Sequence, residues 1–359
     1  MGRLGGGVSI IDARGRKSRQ SEDAKLALER RLGVVSRTLT NQGKARYAPI
    51  VAITTPSFNQ GRFLEETIQS VVSQEGDFSI DYVVVDGGST DDSVAIIKKY
   101  ESLLARGEWP VRCRGIHLRW CSEQDQGQSD AINKGFRMAT GGIMAWLNSD
   151  DAYAPGALGT VSNAFAADAG CDVVYGKSAY IDESGTHLGA YPTENFDRDR
   201  LAVVNFIAQP SAFFRRSALE RVGYPDASLR YVMDYDLWIR MSGSCHFRYL
   251  SEILSNYRLH GESKTVSPAH ALANARECLE VVHKHFHWAP ANRVYAYCAG
   301  WYESNVHLPF LKKKPVEVGI TGPVALVKYL AMNRGIRLAD AKQLSLRNLR
   351  GLVAGRKLY

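Results

Sequence analysis

The chain has 359 residues and a mass of 39.7 kDa, with 45% hydrophobic and 23% charged residues, which excludes a disordered, collagen-like or low-complexity chain and allows roughly two to three domains. The formal net charge is +8, but it is unevenly placed: residues 1–48 carry 11 Lys/Arg against 4 Asp/Glu, residues 302–359 carry 11 against 3, and the body between them carries 23 against 30. An acidic body disfavours a nucleic-acid binder, whereas two basic ends suit an anionic surface or partner, or simply solvated helix faces.

Met1–Ile10 lacks the basic start and apolar core of a secretory signal, and no run of about 18 apolar residues occurs, as a spanning helix would need. Residues 1–46 read as an extension, Gly- and Arg-rich at first and helix-compatible from Ser21 to Val35. The core opens at Pro49. Ile50–Thr55 is a β-branched run between two prolines, hence a buried strand, and Phe63, Ile68, Val71 and Val72 mark an amphipathic helix. Tyr82–Val85 is a second buried strand. The next helix carries Val94, Ile96 and Ile97, with Ser89 or Thr90 as the expected N-cap. A strand near Ile116–Cys121, a helix over Asp130–Met138 and a strand over Ile143–Leu147 complete a β-α-β-α-β-α-β order. Such an order predicts a mostly parallel, doubly wound α/β sheet with ligands at the carboxyl ends of its strands.

From about residue 171 the pattern shortens: strands over Asp172–Tyr175, Ala179–Ile181, Phe247–Leu250 and Ile253–Tyr257, a turn at Glu183–Thr186 and a helix over Asp234–Met241. Helices follow over 269–287, 291–305, 322–333 and 337–353, the last a basic amphipathic stretch. The organisation expected is a basic extension (1–48), a catalytic-type α/β domain (49–265, halves 49–151 and 152–265) and a helical basic region (266–359). The six cysteines form no CxxC pair, as expected of reduced thiols in a cytosolic protein. His283, His285 and His287 offer an i,i+4 pair for zinc, but without a third ligand they read better as an exposed helix face.

Polar clusters fall at the strand ends. Thr54–Gln60 follows strand one and Asp86–Asp91 follows strand two. The Gly-containing loop Ser122–Gly135 enters a helix N-terminus, a place suited to an anionic ligand. Sharpest is Trp146-Leu-Asn-Ser-Asp-Asp151: adjacent carboxylates at a buried strand end repel unless a cation lies between them or one is protonated, and hard oxygen ligands suit Mg²⁺ or Mn²⁺. The competing reading is capping of a helix starting near Pro155. Asp234 and Asp236 begin a helix, and His260 lies in the polar loop Tyr257–Lys264.

In this order, Pro56-Ser-Phe-Asn59, Val85–Asp91, Asp125-Gln-Gly-Gln-Ser-Asp130, Leu147–Asp151, Gln209-Pro-Ser211 and Asp234-Tyr-Asp-Leu-Trp238 resemble the family 2 glycosyltransferases of the GT-A fold, over about residues 49–265. The resemblance implies a nucleotide-sugar donor, UDP by default, with Thr55, Pro56, Ser57, Asn59, Asp86, Gly87, Asp125, Gln128, Lys134, Asn148 and Ser149 on the donor side. It places the family's Asp-x-Asp signature at Asn148-Ser149-Asp150, so that a divalent metal (Mn²⁺ or Mg²⁺) would be held by Asp150, Asp151 and His260. The first position is Asn, and Gly87 stands where many relatives have a second Asp. Asp234 matches the catalytic base of an inverting transfer, and Gln209, Asp236 and Trp238 would face the acceptor, a glycan or lipid-linked hydroxyl in surface polysaccharide biosynthesis. A peripheral membrane contact or a homo-oligomer through the C-terminal helices would fit such an acceptor. Alternatives are a non-catalytic nucleotide-sugar-binding relative, which would be expected to lose Asp150 or Asp234, and a sugar nucleotidyltransferase, whose basic phosphate loop is missing from Pro56–Gly61.

Overall fold

Strands β3 (Ile50–Ser57), β4 (Ser79–Asp86), β5 (Gly115–Ser122) and β6 (Ile143–Trp146) form the parallel half of the sheet, in the order β5-β4-β3-β6. The computed structural model describes residues 37–39, 45–263, 268–337 and 340. β3, β4 and β6 are buried on both faces, which is why their sequences run apolar without alternation. Helices α1 (Gly61–Val72), α2 (Ser93–Ala105) and α3 (Gln128–Met138) make the crossovers. The chain builds outward from β3 to β5, then returns to lay β6 on the other side of β3. That reversal leaves a crevice at the carboxyl ends of β3 and β6, and the polar clusters lie there.

Beyond β6 the same sheet becomes mixed. β10 (Ala212–Arg215) pairs antiparallel with β6 and with β8 (Val173–Ile181), and β8 runs parallel to β11 (Phe247–Arg258). The short strands β7 (Ala152–Tyr153) and β9 (His187–Ala190) pair with β11 and β8. The four short strands expected here are therefore two long ones, β11 being interrupted by register shifts between Tyr249 and Ser255. Helices α4 (Ala157–Ala167), α5 (Arg198–Val203), α6 (Arg216–Val222) and α7 (Met233–Met241) pack on this half, followed by α8 (Ala271–Phe286), α9 (Ala291–Asn305) and α10 (Lys314–Asn333). α10 begins well before residue 322, with a proline in its first turn, where the missing N–H has no helical partner to lose.

The chain divides into two units, Met1–Ala48 and Pro49–Tyr359; within the first, β1 (Arg37–Leu39) and β2 (Ala45–Tyr47) form an antiparallel hairpin. The helices expected at 21–35 and over most of 337–353 lie outside the described residues. One core, including Phe136, Trp146, Phe214 and Trp238, fills one face of the sheet, and a second lies under α1, α2 and α4. A third, including Leu279, Val294, Cys298 and Tyr329, joins the C-terminal helices. Gly135 lets α3 lie directly on β3, since a Cβ there would come within 2.2 Å of the Thr54 methyl. All six cysteines are free thiols, with Cys171, Cys278 and Cys298 buried.

Candidate active site

Two loops at the crevice are stitched together. Asn59, held at φ 51°, accepts from the Thr90 N–H through Oδ1 (2.8 Å) and donates its own N–H to Ser89 Oγ (2.8 Å). Asp91 accepts from the Gly61 N–H (2.8 Å) and the Ser93 N–H (3.0 Å). Ser89 and Thr90 therefore serve the loop and not the helix: α2 starts at Ser93, after Asp92. Asp86 is fully buried, its carboxylate accepting from the N–H groups of Gly88 (3.1 Å) and Ser89 (2.9 Å) and from the hydroxyls of Ser89 and Ser122. It braces the floor of the loop. Thr55 lies in the interior, hydrogen-bonded to the Tyr82 hydroxyl (3.0 Å), which corrects the expectation that its side chain lines the crevice. Pro56 and Ser57 are also buried, and Ser57 Oγ has no hydrogen-bond partner among the described residues.

Gly87 separates Phe58 from Asp125. A Cβ at this position would meet Asp125 Oδ2 at 2.7 Å and the Phe58 ring at 3.3 Å, so an Asp here would collide with a like charge. Phe58 itself is 60% exposed, an unusual state for a large apolar ring beside a polar crevice. Lys134 pairs with Glu123.

At the end of β6 the residue types decide the network. Asn148 accepts from Gln128 Nε2 (2.8 Å) and donates to Gln209 Oε1 (3.1 Å) and Asp151 Oδ2 (3.4 Å), while Gln209 Nε2 donates to the Trp146 carbonyl (2.8 Å). An amide can do both, whereas a carboxylate at 148 would only accept and would sit against Asp151. Gln209, expected on the acceptor side, is thus a buried strut. Ser149 is buried too, and Thr67 Oγ1 donates to the carbonyls of Ser149 (2.9 Å) and Asp151 (2.7 Å).

The two adjacent aspartates diverge. Asp151 turns inward, 2% exposed, and accepts from the Arg258 N–H (2.9 Å); burial, then the Asp150 charge, push its carboxyl well above the usual carboxylate range. Asp150 stays in the crevice, where Oδ2 meets His260 Nε2 at 2.9 Å across 110 residues of chain. Neither aspartate caps α4, whose N-cap is Gly156. Arg62 Nη2 reaches His260 Nδ1 (3.1 Å) and Glu262 (2.8 Å). A guanidinium only donates, so Nδ1 accepts and the imidazole proton sits on Nε2, facing Asp150.

Asp234, in the first turn of α7, is largely withdrawn from water. Burial lifts its pKa to about 6, against the opposing backbone N–H of Tyr235 and side chain of Asn205. Two neighbours differ from expectation. Asp236 is buried between Arg240 (2.7 Å) and His285 Nε2 (2.8 Å), its pKa held down by those partners despite burial; it faces the interior because α7 turns that side toward α8. The His283–His287 stretch is accordingly not a free helix face. Trp238 is fully buried and stacks on Trp146, with centroids 5.7 Å apart and planes at 16°.

Residues 52–223 match the family described as Glycosyl transferase family 2. The PGL/p-HBAD biosynthesis glycosyltransferase of Mycobacterium tuberculosis is 30% identical over 218 residues, which is 60% of this chain and 78% of that protein. Chondroitin synthase of Escherichia coli is 24% identical over 219 residues, 61% of this chain but 30% of the relative's own length. Among solved structures, S. aureus TarS 1–349 in complex with UDP-GlcNAc superposes with a TM-score of 0.53 at 15% identity, covering 79% of this chain and 81% of that one, a likeness of fold. The chain belongs to glycosyltransferase family 2. Its mixed sheet with flanking helices is the GT-A architecture.

In this glycosyltransferase the structure brings together Asp150 with His260, Gln128 with Asn148 and Gln209, and Gly87 with Phe58 and Asp125. Among the described residues no group of three His, Cys, Asp or Glu side chains gathers around one point. A carboxylate oxygen beside an imidazole nitrogen nevertheless fits a Mn²⁺- or Mg²⁺-type ion, which Asp150 and His260 would hold and which would supply Lewis-acid chemistry there. Ligation through Nε2 needs the other imidazole tautomer, with Arg62 leaving Nδ1 for Glu262 or for Glu183, 3.8 Å away. Sequence reasoning passed over three residues of this site: Phe58, Arg62 and Arg258. Phe58 lies within Pro56–Asn59, but the partners of both arginines come from segments far apart in the chain.

Proposed function

We propose that this glycosyltransferase moves a sugar from a nucleoside-diphosphate donor, UDP-linked by preference, to a hydroxyl of a glycan or lipid-linked acceptor in surface polysaccharide biosynthesis, with inversion at the anomeric carbon. The observation that carries the reading is the pairing of Asp150 with His260 at the mouth of the β3/β6 crevice. The relatives in polysaccharide and glycolipid synthesis support the acceptor class.

The exposed ring of Phe58 offers a face on which a nucleobase stacks, and the braced loops over Asp86 and Asp91 hold that face still. Asp150 and His260 would hold a divalent ion, which when bound supplies Lewis-acid compensation for the leaving diphosphate. Asp234 accepts the proton of the attacking hydroxyl. The oxygen forms its bond to the anomeric carbon as the bond from that carbon to the diphosphate oxygen breaks, and the nucleoside diphosphate leaves with the electron pair. A pKa of about 6 keeps Asp234 ionised at neutral pH yet more basic than an exposed aspartate. One base and no covalent nucleophile give a single displacement, hence inversion.

The test is thermal unfolding of the whole chain against UDP, GDP and dTDP, each with and without Mn²⁺. Saturating nucleotide at about 100 times Kd stabilises by about 2.7 kcal/mol, a rise of a few degrees. We expect the rise with UDP, only with Mn²⁺, and its loss in Asp150→Ala. A rise with GDP or dTDP instead would reassign the donor, and no rise with any nucleotide would favour a non-catalytic relative.

A further inference from the structure

We propose that the outer face of α10 is a membrane-contact surface that lies on an anionic lipid bilayer. Nine of the thirteen exposed large hydrophobic residues among the described residues fall between Trp301 and Ile336. Along α10, Ile320, Val324, Val327 and Leu330 are 40–69% exposed and recur at helical spacing, while Val318, Ala325 and Tyr329 face the C-terminal core. The gaps in the outer row are filled by Gly319, Pro323 and Ala331, and Lys328 flanks it with its ammonium 4.8 Å over the Tyr297 ring. The helix is 20 residues long, about 30 Å, yet no helix of the described residues is long and apolar enough to cross a membrane. An apolar face on a helix that cannot span suits burial at the interface, parallel to the surface.

Charge selects the occupant. Between residues 301 and 337 the only acids are Glu303 and Glu317, and Lys314 binds both, at 3.0 and 2.9 Å. Lys312 and Lys313 then stand at one end of the apolar row, and Arg334 and Arg337 at the other, all exposed. A second copy of this face would bring cationic ends together whether it ran parallel or antiparallel. The chain's own segment 341–359 has five Lys/Arg and no acid, so it too is like-charged. A bilayer bearing anionic headgroups complements both features, with basic side chains at headgroup level and valine and leucine below it.

The experiment is co-sedimentation of the full chain with phosphatidylcholine vesicles, with and without about one-third phosphatidylglycerol, at low and high salt. Binding is expected only with the anionic lipid, weakening with salt. It should fall about tenfold or more in the double variant Val324→Asp/Val327→Asp, and about fivefold for each cation removed in Lys312→Ala/Lys313→Ala. The two valines are 54% and 69% exposed, so circular dichroism and Tm should match wild type. Undiminished vesicle binding by the valine variant would overturn the assignment. So would a dimer that this variant dissociates without any vesicle binding, since a second copy would then cover the face. These readouts involve neither nucleotide nor metal, so the surface and the donor site stand or fall separately.

Discussion

Burial raises the pKa of Asp234 to about 6, and both catalysis and stability feel it. The base must be ionised, so kcat/KM should fall about tenfold per pH unit below pH 6, and Asp234→Asn should lower turnover by about 10²–10⁴-fold with donor binding unchanged. An unchanged rate would remove Asp234 from the mechanism. The stability effect has the opposite sign. With a folded pKa above the ordinary 3.8, the ionised form is disfavoured in the fold, so its cost grows as pH rises from about 3.8 to 6 and is constant above. Asp234→Asn should therefore raise stability at pH 7.5, by on the order of 1–3 kcal/mol, and have little effect near pH 3. Calorimetry of the two forms across pH reads this directly.

α7 is placed by its aromatic face. Trp238 stacks on Trp146, and Phe136 of α3 and Phe214 of β10 complete the cluster at centroid distances of 5.7–6.5 Å. One packing event thus sets α7 on the strand that leads into Asn148–Asp151. Trp238→Ala leaves a cavity and should destabilise the protein by about 3–5 kcal/mol. Trp238→Phe should be far milder, because the indole N–H has no hydrogen-bond partner among the described residues. Chemical denaturation of both variants tests this, and equal losses would show that the stack is not what holds α7. Asp236 belongs to the same element: its pair with Arg240 stays within α7, one turn on, and its pair with His285 fastens α7 to α8.

Across the whole molecule, Arg258 ties the two halves of the sheet to the crevice. It is 2% exposed, donates Nε to the Asp150 carbonyl (2.9 Å) and Nη1 to those of Asp182 (2.9 Å) and Glu183 (3.2 Å), pairs with Glu66 through Nη2, and lies 4.9 Å over the Phe63 ring. One side chain from β11 thereby joins α1, the β6–β7 loop and the β8–β9 turn. Arg258→Met strips the donor from three carbonyls and should cost about 1–3 kcal/mol. It should also weaken Mn²⁺ binding, followed by titration calorimetry, because the Asp150 backbone loses its tether. A stable variant with unaltered Mn²⁺ affinity would make Arg258 a bystander.

The parallel half of the fold was legible because burial on both faces marks consecutive residues: Ile50–Ile53, Tyr82–Val85 and Ile143–Leu147 run without polar alternation. The polar clusters after them, and with them membership of the family, were equally plain, since strand ends point to one crevice in such a sheet. The mixed half was not. β8 is buried nearly throughout, with Gly176 and Lys177 interrupting its apolar run, and β11 has exposed positions and register shifts mid-strand, so each read as two fragments. Adjacent Asp150 and Asp151 have the same chemistry in the sequence, and only the approach of the Arg258 N–H and the His260 ring separates the buried one from the open one. Tertiary structure likewise set Asp236 on His285 and Gln209 on Asn148. Periodicity reports which face of an element is dry; it carries no information about which distant element arrives to pair with a polar side chain there.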